Sequence, residues 1–157
     1  MTQPPIEKLT EFNITAELRR IIDTAYVPND RPIILAYVGP DGAAHVSFRG
    51  STHFHSDTAI AVWARDPEGG LPGALANNPN ITLVYREPNP EGGRSRAVIN
   101  IRGQGRLSTD EAERRKVYET MPEVERVADP EMKGVAVIIE IESISGLMPG
   151  YRLQMNR

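Results

Sequence analysis

The run HVSFRGSTHFH, residues 45–55, gathers three histidines, an arginine and the hydroxyls of Ser47, Ser51 and Thr52 into eleven positions. Successive side chains of a strand point to opposite faces. On that period His45, Ser47, Arg49, Ser51, His53 and His55 share one face, and Val46, Phe48 and Phe54 share the other, with Thr52 among them. The apolar face is expected to pack in a core. The polar face offers a cation and hydroxyls, which suits an anionic, hydrogen-bonding ligand; its plainer reading is a strand side turned to solvent. Gly50 has room for a bulge that would break the parity beyond it. His53 and His55 also have the i, i+2 spacing of a metal pair. The nearest carboxylate in sequence is Asp57, however, and the chain has no cysteine. Exposed or hydrogen-bonded histidines are therefore expected, and no metal is assigned.

Other residues carry weaker signals. Trp63 is the single tryptophan; core or interface is its default place, and a wall of a ligand pocket is the sharper reading. Arg94, Arg96, Arg102 and Arg106 read as a solvated or ion-paired face, or else as a cleft that attracts an anion. Gly103-Gln104-Gly105 marks a bulge or a close backbone approach. No G-x-S-x-G elbow and no phosphate loop ending in G-K-[ST] is present. The charged stretch DEAERRKVYE has the i, i+4 pairing of a solvated helix. No catalytic residue is assigned.

Residues 1–12 read as a loose arm. Leu18, Ile21, Ile22 and Ala25 then recur at helical spacing, with Asn13 or Thr15 as cap. A strand is predicted over 31–38. The turn Pro40-Asp41-Gly42 leads into a second strand over 44–56, because proline presets φ and glycine accepts its positive values. A third strand covers AIAVWAR. A glycine- and proline-rich loop, DPEGGLPG, and a short helical turn, ALANNP, precede a fourth strand, ITLVYRE. A fifth strand spans 96–107, with Val98, Asn100 and Arg102 on one face and Ile99, Ile101 and Gly103 on the other. Ser108 with Glu111 fits a capping box, and a helix follows to about Met121. A sixth strand covers 134–144, and the tail 147–157 reads as irregular. Short hairpins exclude a parallel sheet, which needs long crossovers. Six antiparallel strands in a chain of this size close most simply into a small barrel with flanking helices.

The 157 residues suit a single domain, residues 1–157. A net charge of -3 leaves no basic field for nucleic acid. Absence of cysteine fits a cytoplasmic protein. The start, MTQPPIEKLTEF, lacks the basic, apolar pattern of a leader, and runs such as IILAYV are too short to span a bilayer, so no membrane partner is expected.

Three stretches, in this order and spacing, carry a resemblance. DGAAHVSFRGS (41–51) is similar to a hairpin entering a V-S-x-[RK]-G-S strand. AIAVWARDPEGGLPGALANNPNITLVYRE (59–87) is similar to a strand, phosphate loop and short helix ending in N-P before a further strand. RAVINIRGQGRLSTDEAERRKVYE (96–119) is similar to a strand with a G-x-G/A turn and the helix after it. Together they resemble the pyridoxamine 5'-phosphate oxidase-like proteins, the flavin-binding split barrels, over roughly residues 14–146.

The resemblance implies a six-stranded antiparallel split β-barrel and a homodimer with cofactor sites at the subunit interface. It implies FMN, with the deazaflavin F420 as alternative, and hydride or electron transfer to a small-molecule substrate. A non-catalytic flavin- or haem-binding module of the same fold stays open. Carried over by position, the cofactor-binding residues are Ser47, Arg49, Gly50 and Ser51 on the second strand and Trp63, Ala64 and Arg65 on the third. One departure stands out. Relatives often place Lys or Arg followed by Thr or Ser before the short helix to grip the phosphate, and here Gly70-Leu71 stand there. Arg49 and Arg65 are the expected compensation. The oxidase's usual C-terminal extension is not visible in GYRLQMNR, so pyridoxamine phosphate oxidation itself is not expected.

Overall fold

The computed structural model describes residues 5–157. Helix α1 (Ala16–Asp23) starts at Thr15, whose hydroxyl oxygen accepts the Leu18 N–H at 3.1 Å, and it buries Leu18, Ile21 and Ile22. Strands β2 (Ile33–Val38) and β3 (Ala44–Arg49) form the expected antiparallel hairpin. Its turn uses Gly42 at φ +79, a conformation other residues rarely adopt. Strand β6 (Asn80–Glu87) pairs β2 on one side and β7 (Ala97–Leu107) on the other. The register of β7 against β8 (Val135–Met148) shifts between Arg102 and Gly103, the bulge that the glycine pair signalled.

The split lies at β8. Its other edge is shared by two strands: β5 (Ala59–Ala64) takes its first half and β9 (Tyr151–Asn156) its second. Strand β1 (Glu7–Leu9) adds to β9 in parallel, and β4 (His53–Phe54) pairs β5. The main core fills the space between α1 and the inward rows, among them Ile33, Leu35, Ile60, Leu83, Ile99, Ile101, Ile139 and Ile144. Helix α3 (Glu111–Thr120) covers a second cluster of Ala59, Ala61, Trp63, Val117, Met121, Ala136 and Ile138. Among the described residues no helix is long and apolar enough to cross a membrane.

Several expectations are corrected. The sheet has nine strands rather than six, because both ends of the chain join it as β1 and β9 and the expected second strand is split into β3 and β4. Within the expected arm, Glu7–Leu9 is strand, and residues 1–4 lie outside the described residues. The expected irregular tail is β9; Pro149-Gly150 forms the turn into it, with Gly150 at φ +86. The short helix, α2 (Gly70–Leu75), starts earlier than ALANNP, because Leu71 and Leu75 both bury there. The cap of α3 is Asp110, which accepts the Ala112 N–H at 2.9 Å, whereas Ser108 donates to Glu113 at 2.6 Å. A further helix, α4 (Glu123–Ala128), was not expected. The single second strand over 44–56 is broken into β3 and β4.

Candidate functional site

The break between β3 and β4 builds the site. After Arg49 the chain turns, and the Arg49 carbonyl accepts both the Thr52 N–H at 3.3 Å and the Thr52 hydroxyl at 2.7 Å. Gly50 has no room for a side chain, because a Cβ there would lie 2.5 Å from Glu125 Oε1 and 2.7 Å from the Tyr26 ring. Ser51 then reaches across to β5. Its Oγ accepts the Trp63 N–H at 2.8 Å, which continues the β4–β5 ladder through a side chain.

The sequence parity therefore holds only up to Arg49. Val46 and Phe48, expected in a core, are 65% and 70% exposed. β3 is an edge strand that pairs β2 alone, and these two side chains lie on the outer face of the sheet. Phe48 stands opposite Ile34, which stands opposite Val84, and Val46 stands opposite Ala36, so an apolar row crosses three strands. A groove of about 400 Å³ runs beside it, lined by Ile34, Phe48, Val84, Tyr85, Arg31 and Arg86. An edge strand with exposed large apolar side chains is normally covered by something.

The opposite face of β3 is polar. Tyr37, across the hairpin from His45, stacks on that imidazole with ring centroids 5.1 Å apart, and His45 Nε2 lies 3.3 Å from Asp41. Arg49 Nε donates to Ser47 Oγ at 3.0 Å, which fixes the guanidinium by one edge and leaves its terminal nitrogens free of that bond. Burial pushes the pKa of Arg49 below its ordinary value; Tyr37 and Glu125 oppose this, and the neighbouring Arg65 cation adds to it. Among the described residues neither Arg49 nor Arg65 has a carboxylate within 4 Å. A partly desolvated cation near another cation is costly unless an anion joins them.

The predicted site residues thus divide. Ser47 and Arg49 are hydrogen-bonded to each other with the Gly50 turn beside them, and the exposed Arg65 is near enough for its charge to bear on Arg49. Ser51, Trp63 and Ala64 have their side chains inside the fold, at 2%, 2% and 3% exposure. Trp63 is a core residue: its indole N–H donates to Asp129 Oδ2 at 2.9 Å and its ring meets Tyr118 edge-on. At the departure from the relatives' pattern, Gly70 opens α2 and Leu71 is buried in the core, so neither presents a polar group. Sequence reasoning missed Tyr37, which read only as part of a strand, and Asp129, which carried no local signal.

The other candidates have structural partners. Arg106 makes a two-pronged pair with Glu113 at 2.9 and 3.0 Å, while Arg94, Arg96 and Arg102 are exposed. That pair, despite some burial, and the Ser108 hydroxyl hold the Glu113 pKa down at about 2. His55 Nε2 lies 3.3 Å from Glu113. His53 Nδ1 lies 2.8 Å from the Ser51 carbonyl, which can only accept, so this nitrogen carries the proton. Its Nε2 is then a bare, buried lone pair without a hydrogen-bond partner among the described residues. No group of three or more metal-ligating side chains forms among the described residues.

His53 predicts a pH dependence. Burial pushes its pKa below the ordinary 6.5, the Ser51 bond opposes this, and His55 and Lys116 add to it. The unfolded chain therefore takes up a proton near pH 6.5 that the folded chain refuses. Stability is full above that pH and falls as the pH drops from about 6.5 towards the depressed folded value. Calorimetry from about pH 7.5 down to about pH 5 is expected to show Tm falling with acid, and less steeply for His53→Asn, which keeps a donor to Ser51. Equal slopes would remove His53 from the explanation.

No family model matches the sequence, and no curated protein matches it. Solved structures do. HupZ of Group A Streptococcus is 20% identical, with 88% of this chain and 97% of that chain covered and a TM-score of 0.60. An FMN-binding protein from Syntrophomonas wolfei is 9% identical, with 83% and 86% covered and a TM-score of 0.62. A protein from Clostridium acetobutylicum related to general stress protein 26, of the pyridoxinephosphate oxidase family, is 12% identical, with 82% and 87% covered and a TM-score of 0.58. The fold is the split barrel of the pyridoxamine 5'-phosphate oxidase-like proteins.

Proposed function

We propose that the chain binds a phosphorylated flavin, FMN in the first instance and F420 as the alternative, and uses it in oxidoreduction of a small molecule. The observation that carries this reading is the desolvated Arg49, held by Ser47, beside Arg65 and without a paired carboxylate. A phosphate monoester supplies nearly two negative charges, and arginine is suited to gripping it with two parallel hydrogen bonds. Gly50 lets the backbone turn beside it. Bound FMN would supply the hydride or electron transfer; the protein would supply orientation, hydrogen bonds and exclusion of water. The exposed Val46 and Phe48, beside the half-buried Ile34, support a homodimer in which a second copy covers β3 and closes the site.

A non-catalytic module of the same fold is the second reading. It is favoured by the absence of both a cation and a hydroxyl at Gly70-Leu71. Turnover separates the two: an oxidoreductase reoxidises its reduced cofactor with a substrate.

The test is an absorption titration of the purified protein with FMN, F420 and riboflavin, with its mass in solution measured by sedimentation. A dimer that takes up FMN or F420 at micromolar concentration with a shifted flavin spectrum is the expected result. A monomer with no saturable response to any of the three overturns the proposal.

A further inference from the structure

Gly70 stands where relatives carry a phosphate-gripping cation, and its space is filled. A Cβ built on Gly70 would collide with the Tyr37 hydroxyl oxygen, while the next nearest atom, Tyr37 Cζ, would lie 3.5 Å away in ordinary contact. Gly70 adopts no positive φ, so its backbone does not demand glycine. The demand comes from Tyr37. That side chain stacks on His45 at 5.1 Å with the rings 13° from parallel, and it shares one face of the β2–β3 hairpin with Ser47 and Arg49. The hydrogen bonds within this cluster are His45 to Asp41 and Arg49 to Ser47, and neither uses the Tyr37 hydroxyl.

Resting on the flavin reading, we infer that the Tyr37 hydroxyl replaces the missing side chain at position 70 and donates, with Arg49 and Arg65, to the phosphate of the ligand. An O–H donor in place of an ammonium still binds a phosphate oxygen, but with less charge compensation. Tyr37 then sets how strongly the site prefers a phosphorylated flavin over its dephosphorylated form. His45 holds the phenol ring and is a positioning residue.

The experiment titrates FMN, riboflavin and inorganic phosphate into the native protein, Tyr37→Phe, and the double variant Tyr37→Phe/Gly70→Lys. Flavins are followed by absorption and phosphate by the NMR signals of Gly69, Gly70 and the Arg49 side chain. Tyr37→Phe is expected to weaken FMN and phosphate about tenfold and to leave riboflavin unchanged. The double variant is expected to recover FMN affinity, because removing the hydroxyl opens the space at Gly70 and the lysine returns a cation to it. Circular dichroism and Tm identify a variant that has lost its fold, and the double variant supplies a gain that misfolding cannot produce.

Equal loss of riboflavin and FMN, or unchanged FMN and phosphate affinity in Tyr37→Phe, overturns the role of Tyr37 while leaving the flavin reading intact. Phosphate that binds here and depends on Tyr37, with no flavin bound, supports the anion site and overturns the flavin reading. Native protein that binds neither FMN nor phosphate overturns both.

Discussion

Arg49→Met is expected to weaken FMN binding about 100-fold and to leave riboflavin within about threefold, because hydrogen bonds to charged groups are each worth about 1.5–3 kcal/mol. Arg49→Lys keeps the charge but loses the fork and the bond from Nε to Ser47, so an intermediate loss of about tenfold is expected. Arg49→Met has an opposite effect on the ligand-free protein. A half-buried guanidinium near Arg65 and without an ion pair costs free energy in the absence of ligand. Methionine fills similar space without charge, so the ligand-free Tm of Arg49→Met is expected to rise by a few degrees, on the order of 1 kcal/mol. Lost FMN affinity together with a higher ligand-free Tm is the signature of a residue kept for binding. A fall in both would make Arg49 a structural residue and would remove the main support for the phosphate site.

Asp129→Ala is expected to cost about 3 kcal/mol of stability, a loss usual for a buried apolar side chain and large for a polar one. Asp129 follows α4 and is 8% exposed. One carboxylate oxygen accepts the Trp63 indole N–H at 2.9 Å and the Gly134 N–H at 2.9 Å, and the other accepts the Lys133 N–H at 3.0 Å. Burial opposes the charge, but these bonds and the nearby Arg114 outweigh it, and the pKa lies below the usual 3.8. Alanine leaves three donors without an acceptor. Each buried donor left unmade costs about 1–3 kcal/mol, and water entering at this partly open site recovers some of that. At about 2–4 °C per kcal/mol for a chain of this size, Tm is expected to fall by roughly 10 °C. Asp129→Asn, which retains one oxygen, is expected to lose less. Because Trp63 is the single tryptophan, its fluorescence reports the change directly. A loss below about 1 kcal/mol for Asp129→Ala would mean that water replaces the carboxylate fully.

Acid unfolding bears on the same carboxylate. The folded pKa of Asp129 lies below 3.8 and that of Glu113 is about 2, against 4.5 for the free side chain. Their stabilisation is full above the unfolded values and is lost as the pH falls through the folded ones. The His53 loss occurs higher, below about pH 6.5, so the two parts of the acid profile separate.

Much of this protein was legible in its sequence. The alternation of Val98 to Gly103 identified a half-buried strand, and the structure buries Ile99, Ile101 and Gly103 and turns Arg102 outward. The turn glycine at 42 was readable, as were a cap at Asn13 or Thr15, settled as Thr15, and a bulge or close approach at Gly103-Gln104-Gly105, found as a bulge at Gly103, because each is a local steric or hydrogen-bonding demand. The three motif stretches pointed to the split barrel, and the cationic pair of Arg49 and Arg65 lay among the residues they singled out.

What failed was longer-ranged. Tyr151, Leu153 and Met155 alternate with Arg152, Gln154 and Asn156 as a strand does, but a short strand is stable only against a partner, and the second half of β8 is that partner. Val46 and Phe48 look like core by type, yet β3 is an edge, and no local pattern distinguishes an inner face from an exposed outer one. The resemblance implied Ser51 and Trp63 at the cofactor, while core was the default place for Trp63; both side chains lie inside the fold, where Asp129, 66 positions away, takes the Trp63 indole N–H and Ser51 Oγ takes the Trp63 backbone N–H. Sequence by itself determined the central strands with their antiparallel order, the helices α1 and α3, and the residue types available to hold an anion, since these depend on neighbours along the chain. Only the tertiary structure decided which of those residues meet: it brought Tyr37 against Gly70 and Arg49 beside Arg65, because strand pairing and helix placement bring together groups that chain distance keeps apart.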